Sequence, residues 1–156
     1  MISLTGVPLI ETERLRLRGP VASDFETFAA FMASGRSTRV GGPISRTLAW
    51  RAFCHLTGHW VHRGYAMFIL ADKATDAPLG MAGPWFPEGW PEREIGWSIW
   101  EAHAEGKGLA FEAALAARRW AYEVLGWATA ISLIVDGNTR SEALARRMGC
   151  SYEGEF

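Results

Sequence analysis

Several features are scarce in this sequence, and each scarcity excludes a class of protein. The two cysteines, Cys54 and Cys150, form neither a disulfide framework nor a zinc-binding pattern. A net charge of −1 implies no general attraction to nucleic acid or to an acidic membrane. No window approaches the length of a membrane span, and the start of the chain lacks the basic region and apolar run of a signal peptide. We therefore expect a cytoplasmic protein that binds neither nucleic acid nor membranes.

The chain also lacks internal repeats, low-complexity tracts and any obvious linker. A length of 156 residues normally corresponds to one domain with a sizeable core. The sequence therefore predicts a single domain over residues 1–156.

Hydrophobic periodicity and turn residues predict an ordered succession of strands and helices. Strands are predicted over residues 9–18, 65–72, 79–86, 93–100 and 129–135, with a last strand beginning at residue 151. Helices are predicted over 24–33, over a stretch that ends before Gly64, over 108–125, and between Asn138 and Gly149. Three consecutive strands with short turns imply antiparallel pairing, whereas the later strand–helix–strand unit implies a parallel pair. We therefore predict an α/β (α+β) fold with a mixed, mostly antiparallel sheet and helices on both faces.

Two glycines stand just before the third predicted helix, in the turn EGKGLA at residues 105–110. Glycines at this place let the backbone approach a ligand, and the free N–H groups and dipole of the helix favour an anion. Leu109 excludes a Walker loop, and Phe111 stands where a dinucleotide fingerprint has its third glycine. The turn therefore predicts a phosphate-bearing cofactor, with a plain loop before a helix as the alternative.

The run GKGLAFEA, which follows an EIGW strand, resembles motif A of the GNAT superfamily of acyl-CoA-dependent N-acetyltransferases, written Q/R-x-x-G-x-G/A. It is most similar to the ribosomal-protein-alanine acetyltransferase type (RimJ/RimL-like), although Glu105 replaces the Gln or Arg of the first position. The ERLRLR run near the start and the N-x-x-S pattern of Asn138 and Ser141 resemble the same family, in the family's order. The resemblance implies a GNAT-like fold whose sheet has a V-shaped splay between the fourth and fifth predicted strands.

The same resemblance implies that acetyl-CoA lies in this splay as the co-substrate. Its acetyl group would pass to a primary amine, of a protein N-terminus or a small molecule, by direct attack in a ternary complex. The turn would hold the pyrophosphate mostly through its backbone. The implied cofactor-binding residues are Ile99, Trp100, Gly106, Lys107, Gly108, Leu109, Ala110, Asn138 and Ser141. For Asn138 the alternative is a simple helix N-cap.

Acylation needs a neutral amine, so a general base helps, above all for a lysine amine with a pKa of roughly 10.4. Glu94, at the position implied by the family on the fourth predicted strand, is the candidate base; the alternative is an outward-facing residue paired with an arginine. Ser141 is the candidate donor of a proton to the departing thiolate. Many family members carry a tyrosine after the leucine of the last helix, but Ala145 follows Leu144 here. The identity of the acid therefore stays open, with solvent as an alternative.

Histidine and tryptophan are grouped in the middle of the chain. His55, His59 and His62 share one face of the second predicted helix. No carboxylate or cysteine completes a ligand set at suitable spacing, so we predict no metal site. Trp85 and Trp90, near the turn between two strands, are candidates to line a cleft for the acceptor.

The resembled family usually adds one more strand after the one that begins at residue 151, so the final strand is expected to be missing. An uncovered strand edge favours association with a second chain. We therefore expect a homodimer, with the late strands or the tryptophan-rich surface at the contact.

Two other functions remain open at this point. The missing tyrosine, Glu105 and the short C-terminal end are also compatible with a catalytically weak or inactive acyl-CoA-binding module that acts as a sensor or sequestering protein. Release of thiol from acetyl-CoA across a panel of amines separates this reading from the enzyme. An unrelated α/β nucleotide binder is a weaker alternative, because the G-x-G-x-A spacing disfavours it.

Overall fold

The structure, a computed structural model, describes residues 2–156 as an open sheet of five strands flanked by four α-helices. The strands are β1 (Ile10–Glu11), β2 (Leu15–Arg18), β3 (Phe68–Asp72), β4 (Pro78–Trp85) and β5 (Glu94–Ile99). The helices are α1 (Phe25–Ala33), α2 (Arg46–Arg63), α3 (Leu109–Glu123) and α4 (Thr139–Arg147). The strands lie side by side in chain order, and each neighbouring pair is antiparallel. The α/β fold class and the predicted antiparallel pairing of β3, β4 and β5 are thus confirmed.

The first predicted strand, over residues 9–18, is divided into β1 and β2. The Thr12 N–H donates to the Leu15 carbonyl at 3.0 Å, which turns the chain back so that β1 pairs with β2. In β2 the two leucines are fully buried, whereas the arginines that alternate with them stay partly exposed. The alternating pattern was therefore predicted correctly, and the turn that interrupts it was not.

Local capping groups set the bounds of the helices. The Ser45 hydroxyl accepts a hydrogen bond from the Leu48 N–H at 3.2 Å at the start of α2. This helix ends at Gly64, whose φ of 78° lies in the left-handed region that glycine favours. The predicted end before Gly64 is confirmed. Within residues 2–156, no helix is both long and apolar enough to cross a membrane.

Helices cover both faces of the sheet, as predicted. On one face, the Trp120 ring of α3 meets the Phe68 ring of β3 edge-on at a centroid distance of 5.2 Å. On the other face, the His59 ring of α2 stacks on the Trp85 ring of β4 at 4.5 Å. Successive residues of a strand point to opposite faces, so each strand contributes apolar side chains to both layers.

A buried ion pair joins the start of α1 to the sheet. Asp24 is fully buried, and its two carboxylate oxygens accept hydrogen bonds from the two terminal nitrogens of Arg18, each at 2.9 Å. The Val21 N–H also donates to this carboxylate at 2.9 Å. These bonds compensate the carboxylate for the water that it loses on burial.

Two predicted strands are wrong. Residues 129–135 form no strand; only Ile131 pairs with β5, in one parallel bridge opposite Glu94. Residues 151–156 form no strand either, and all of them are exposed. A strand forms when its backbone pairs along a neighbour, and β-branched side chains alone do not supply that pairing. Within residues 2–156, neither segment has a neighbouring strand along its length.

Candidate functional site

The turn before α3 presents a row of backbone N–H groups. Gly106 and Gly108 have φ angles of 71° and 78°, which glycine adopts without strain. α3 begins at the next residue, Leu109. Among the hydrogen bonds of residues 2–156, none has a backbone N–H of residues 106–111 as its donor. Six adjacent free donors at the positive end of a helix have the arrangement that suits an anion.

Arginines from three parts of the chain surround this turn. Arg14 donates to the Lys107 carbonyl at 2.8 Å, and Arg36 and Arg140 both bind the Glu105 carboxylate, Arg140 at 2.9 Å. Burial raises the pKa of Glu105, but the hydrogen bonds from Arg36 and Arg140 outweigh this effect and hold its pKa below the usual value. The ionised Glu105 is therefore balanced by two cations and leaves no net negative charge beside the free amides.

A groove of about 540 Å³ adjoins the turn on the outer side of α3. The Arg147 guanidinium lies over the Phe111 ring in this groove, 4.1 Å from the ring centroid. The cations that line the groove are Arg14, Lys107, Arg119 and Arg147. Glu112 also lines the groove and pairs with Arg14 at 2.8 Å, so the net positive charge comes from the other three cations. Three cations beside an aromatic ring suit a ligand that carries phosphate and a planar base.

The edge of β5 that points away from β4 is paired at one point only. The Ile131 N–H donates to the Arg93 carbonyl at 3.0 Å, and the Ile95 N–H donates to the Ile131 carbonyl at 2.9 Å. Beyond this bridge the two segments part. Alternate strand residues direct their backbone groups to the same edge, so the N–H groups of Trp97 and Ile99 point into the gap. The gap occupies the place of the predicted splay.

Glu94, the predicted base, lies at the mouth of this gap and is 6% exposed. Its Oε1 accepts a hydrogen bond from Trp90 Nε1–H at 3.1 Å, and its Oε2 accepts one from the Leu133 N–H at 2.7 Å. Burial raises the pKa of Glu94, and the two hydrogen bonds oppose that shift in part. Glu94 is therefore a buried carboxylate that joins β5 to Leu133 at one end of the gap. The alternative of an exposed residue paired with an arginine is wrong.

Asn138 and Ser141 lie at the start of α4, where Ser141 contacts β5. Asn138 is the N-cap of this helix, because its Oδ1 accepts a hydrogen bond from the Ser141 N–H at 3.3 Å. The Ser141 hydroxyl accepts a hydrogen bond from Trp97 Nε1–H at 3.2 Å. Within the described chain, the proton of this hydroxyl has no acceptor. Ser141 is thus brought next to β5 with a free O–H donor.

The far end of β5 is held by Arg36, which donates to the Ile99 carbonyl at 3.2 Å and to the Trp100 carbonyl at 2.5 Å. The Trp100 N–H donates to the Leu79 carbonyl at 2.7 Å, and its side chain is buried. Of the two residues predicted here to bind the cofactor, Ile99 has its N–H directed into the gap. Trp100 offers the gap no free backbone group, because its N–H donates to Leu79 and its carbonyl accepts from Arg36.

Aromatic side chains cluster beside Glu94. The buried His59 donates from Nδ1 to the Tyr65 carbonyl, and its Nε2 accepts a hydrogen bond from the Phe86 N–H at 3.0 Å. Burial lowers the pKa of His59, in keeping with an Nε2 that accepts a hydrogen bond, and the ring stacks on that of Trp85. Within residues 2–156, no three side chains of His, Cys, Asp or Glu are grouped closely enough to hold a metal ion. Trp90 is 37% exposed and borders the gap through its bond to Glu94.

Three contributors to the site were missed by the sequence analysis: Arg14, Arg36 and Ser132. The Ser132 hydroxyl donates to the Ile95 carbonyl at 2.8 Å, across 37 positions of the chain. Arg36 reaches the Trp100 carbonyl across 64 positions. Arg14 belongs to the ERLRLR run, but only the fold brings it to Lys107. No local pattern signals such contacts.

Comparison with known proteins gives consistent results. The family described as acetyltransferase (GNAT) domain matches residues 14–151. A crystal structure of an acetyltransferase from Agrobacterium tumefaciens is 38% identical over 96% of this chain and 86% of that chain, with a TM-score of 0.87. A GNAT-family acetyltransferase from Bacillus anthracis shares the fold at 20% identity over 96% and 87% of the two chains, with a TM-score of 0.78. A ribosomal-protein-S5-alanine acetyltransferase from Vibrio fischeri shares it at 18% identity over 94% and 85%, with a TM-score of 0.72. No curated protein matches the chain.

Proposed function

The chain belongs to the GNAT acetyltransferase family, and we propose that it transfers an acetyl group from acetyl-CoA to a primary amine by direct attack in a ternary complex. The observation that carries this proposal is the row of six free N–H groups at residues 106–111, at the positive end of α3 and next to a gap in the sheet. A pyrophosphate on these amides places the rest of acetyl-CoA along β5.

The surroundings of the turn support this placement of the cofactor. Gly106, Lys107, Gly108, Leu109 and Ala110 supply amides to the pyrophosphate, and the cationic groove on α3 suits the nucleotide end of the molecule. The pantetheine arm then follows the edge of β5, where N–H groups point into the gap. The start of α4 forms the opposite wall.

Glu94 is the proposed general base. After the bonds from Trp90 and Leu133, each of its oxygens keeps one acceptor site free for the proton of an amine or of a water molecule. A pKa raised by burial brings this carboxylate closer to the proton affinity that a base needs near neutral pH. The amine nitrogen attacks the thioester carbonyl, the carbon–sulfur bond breaks, and the thiolate leaves. Glu94 takes up the proton of the attacking amine and releases it to solvent. Sulfur receives its proton from the Ser141 O–H, whose oxygen is then reprotonated by solvent, or directly from solvent.

We place the acceptor beside Trp85 and Trp90, at the end of the gap where Glu94 lies. A protein N-terminus and a small-molecule amine both fit this proposal. The ribosomal-protein-alanine acetyltransferase type is the subtype proposed, on the GKGLAFEA run and the EIGW strand. The neighbour from Vibrio fischeri is 18% identical, so its likeness supports only the shared fold and not the subtype.

A homodimer in the cytoplasm completes the proposal. Trp50 and Leu48 on α2 are 52% and 45% exposed, and exposed apolar side chains of this size favour association. The cysteines Cys54 and Cys150 are unpaired and exposed, which suits a reducing compartment.

Thermal unfolding with candidate ligands tests the cofactor. Acetyl-CoA at a hundred times its dissociation constant should stabilise the protein by about 2.7 kcal/mol, whereas ATP and NAD at the same concentration should not. Equal stabilisation by NAD would refute the assignment. Release of thiol from acetyl-CoA across a panel of amines then separates an enzyme from a catalytically weak acyl-CoA-binding module, which would bind acetyl-CoA without amine-dependent release.

A further inference from the structure

The parallel pairing between β5 and residues 131–135 stops after one bridge, although both segments continue. In a regular parallel ladder, the next bond after that from Ile95 to Ile131 would run from the Leu133 N–H to the Ile95 carbonyl. The Leu133 N–H makes its single hydrogen bond elsewhere, and the Ile95 carbonyl, which can accept two, already accepts one from a side chain. The Ser132 hydroxyl donates to the Ile95 carbonyl at 2.8 Å, and the Leu133 N–H donates to Glu94 Oε2 at 2.7 Å. The donor and the acceptor of the missing ladder bond are therefore each bonded to a side chain, Glu94 and Ser132 respectively.

The absence of the bond from the Leu133 N–H to the Ile95 carbonyl also affects the next bond of the ladder. If Leu133 paired with Ile95, the following bond of the ladder would run from the Trp97 N–H to the Leu133 carbonyl. That bond would use the first N–H that points into the gap and would draw residues 132–135 onto β5. The sequence of residues 131–135, ISLIV, favours a strand by its β-branched and aliphatic content. Intrinsic propensity therefore does not explain why the ladder stops.

We infer that Ser132 is a positioning residue that, together with Glu94, holds the gap between β5 and residues 131–135 open for the thioester end of acetyl-CoA. Its hydroxyl replaces the Leu133 N–H as the partner of the Ile95 carbonyl, and the Glu94 carboxylate takes up that N–H. The Trp97 N–H is thereby left for the ligand. The inference rests on the proposed function in one respect, namely that the gap receives acetyl-CoA.

The first test measures the gap without any ligand. Ser132→Thr keeps the hydroxyl, and Ser132→Val has the same shape as threonine without it, so the two variants differ in one hydrogen bond. In the valine variant the Ile95 carbonyl loses its side-chain donor, so the Leu133 N–H should turn from Glu94 to Ile95 and the ladder should extend. Amide hydrogen exchange at Trp97 should then slow by about tenfold, the factor expected for one new hydrogen bond of ordinary net strength. In the threonine variant, exchange at Trp97 should match the wild type. Equal exchange rates at Trp97 in the two variants would overturn the inference.

The second test measures acetyl-CoA binding by calorimetry. Ser132→Val should weaken binding by about tenfold, because the ligand must break the added rung, and Ser132→Thr should bind as the wild type does. The unfolding midpoint of the valine variant should be no lower than that of the threonine variant, whereas a merely structural serine would lower it. Equal affinities of the two variants would contradict the inference.

The two tests also separate the inference from the proposed function. If the wild type fails to bind acetyl-CoA, the proposed function fails, but the exchange rates at Trp97 still decide whether Ser132 holds the gap open. Should Ser132→Val not fold, Ser132→Ala removes the same hydroxyl with a smaller side chain, and the same difference from Ser132→Thr is expected.

Discussion

Replacing Glu94 by glutamine separates the two roles that the structure combines in one carboxylate. The carboxylate accepts hydrogen bonds from Trp90 Nε1–H and the Leu133 N–H, one on each oxygen. An amide offers one oxygen and one NH₂ group, so Glu94→Gln satisfies one of these donors and sets its NH₂ against the other. An unsatisfied buried donor costs about 1–3 kcal/mol, so we expect the free energy of unfolding to fall by that amount.

The rate should fall much further than this loss of stability suggests. Removal of a general base commonly costs about 10²–10⁴-fold in rate, and acetyl-CoA affinity should change far less. The loss should shrink at high pH, where the amine loses its proton unaided. The assay is thiol release from acetyl-CoA, with kcat/KM measured against pH. In the wild type the acidic limb of the profile should lie above 4.5, the ordinary pKa of glutamic acid, and in Glu94→Gln this limb should disappear.

The pH dependence of stability has a definite sign. The folded pKa of Glu94 is raised because burial disfavours its charged form. The contribution of Glu94 to stability is therefore fully present below pH 4.5 and is lost as the pH rises through the folded pKa. Glutamine has no such loss, so the deficit of Glu94→Gln relative to the wild type should be larger at pH 4 than at pH 8. Denaturant unfolding at the two pH values measures this difference.

Trp90→Phe provides the matched control. It removes the indole donor and leaves the Leu133 N–H in place. Combined with Glu94→Gln, it should recover most of the lost stability, because the glutamine oxygen can then accept from Leu133, but it should not recover the rate. Recovery of the rate in the double variant, or an unchanged pH profile in the single variant, would show that Glu94 is structural and not the base.

Three other predictions concern separate parts of the molecule. Gly108→Glu should abolish stabilisation by acetyl-CoA, because a side chain and a negative charge would both oppose the pyrophosphate; Gly126→Glu, at a similar φ of 73° with open space around it, should keep that stabilisation in a thermal shift assay. Asp24→Ala should lower the free energy of unfolding by about 1–3 kcal/mol, because the Val21 N–H and the two terminal nitrogens of Arg18 lose their acceptor while Asp76 still pairs with Arg18. Glu26→Ala, whose ion pair is exposed, should leave the denaturation midpoint nearly unchanged. Light scattering at micromolar concentration should give the mass of a dimer, and a monomer would refute the proposed homodimer.

Parts of the fold and site that depend on neighbouring residues were predicted well. The turn before α3 follows from Gly106 and Gly108, whose left-handed φ angles free the amides at the start of the helix. The end of α2 follows from Gly64, and the start of α4 follows from Asn138. In each case the interacting groups lie within about one turn of helix, so the order of residues already contains the interaction.

The tertiary structure decided the parts that depend on contacts between distant segments. From the sequence alone, Glu94 could be a base or a surface residue, and residues 129–135 were predicted wrongly as a strand. Glu94 acquires its buried position through a bond to Leu133, 39 positions away, and Ser132 stops the ladder through a bond to Ile95, 37 positions away. Local periodicity reports which residues favour a strand, but the pairing of a strand depends on which donors and acceptors the rest of the fold leaves free. The sequence by itself therefore determined the glycine turn before α3 and the order of β3, β4, β5 and the four helices, and only the packed chain determined the gap beside β5.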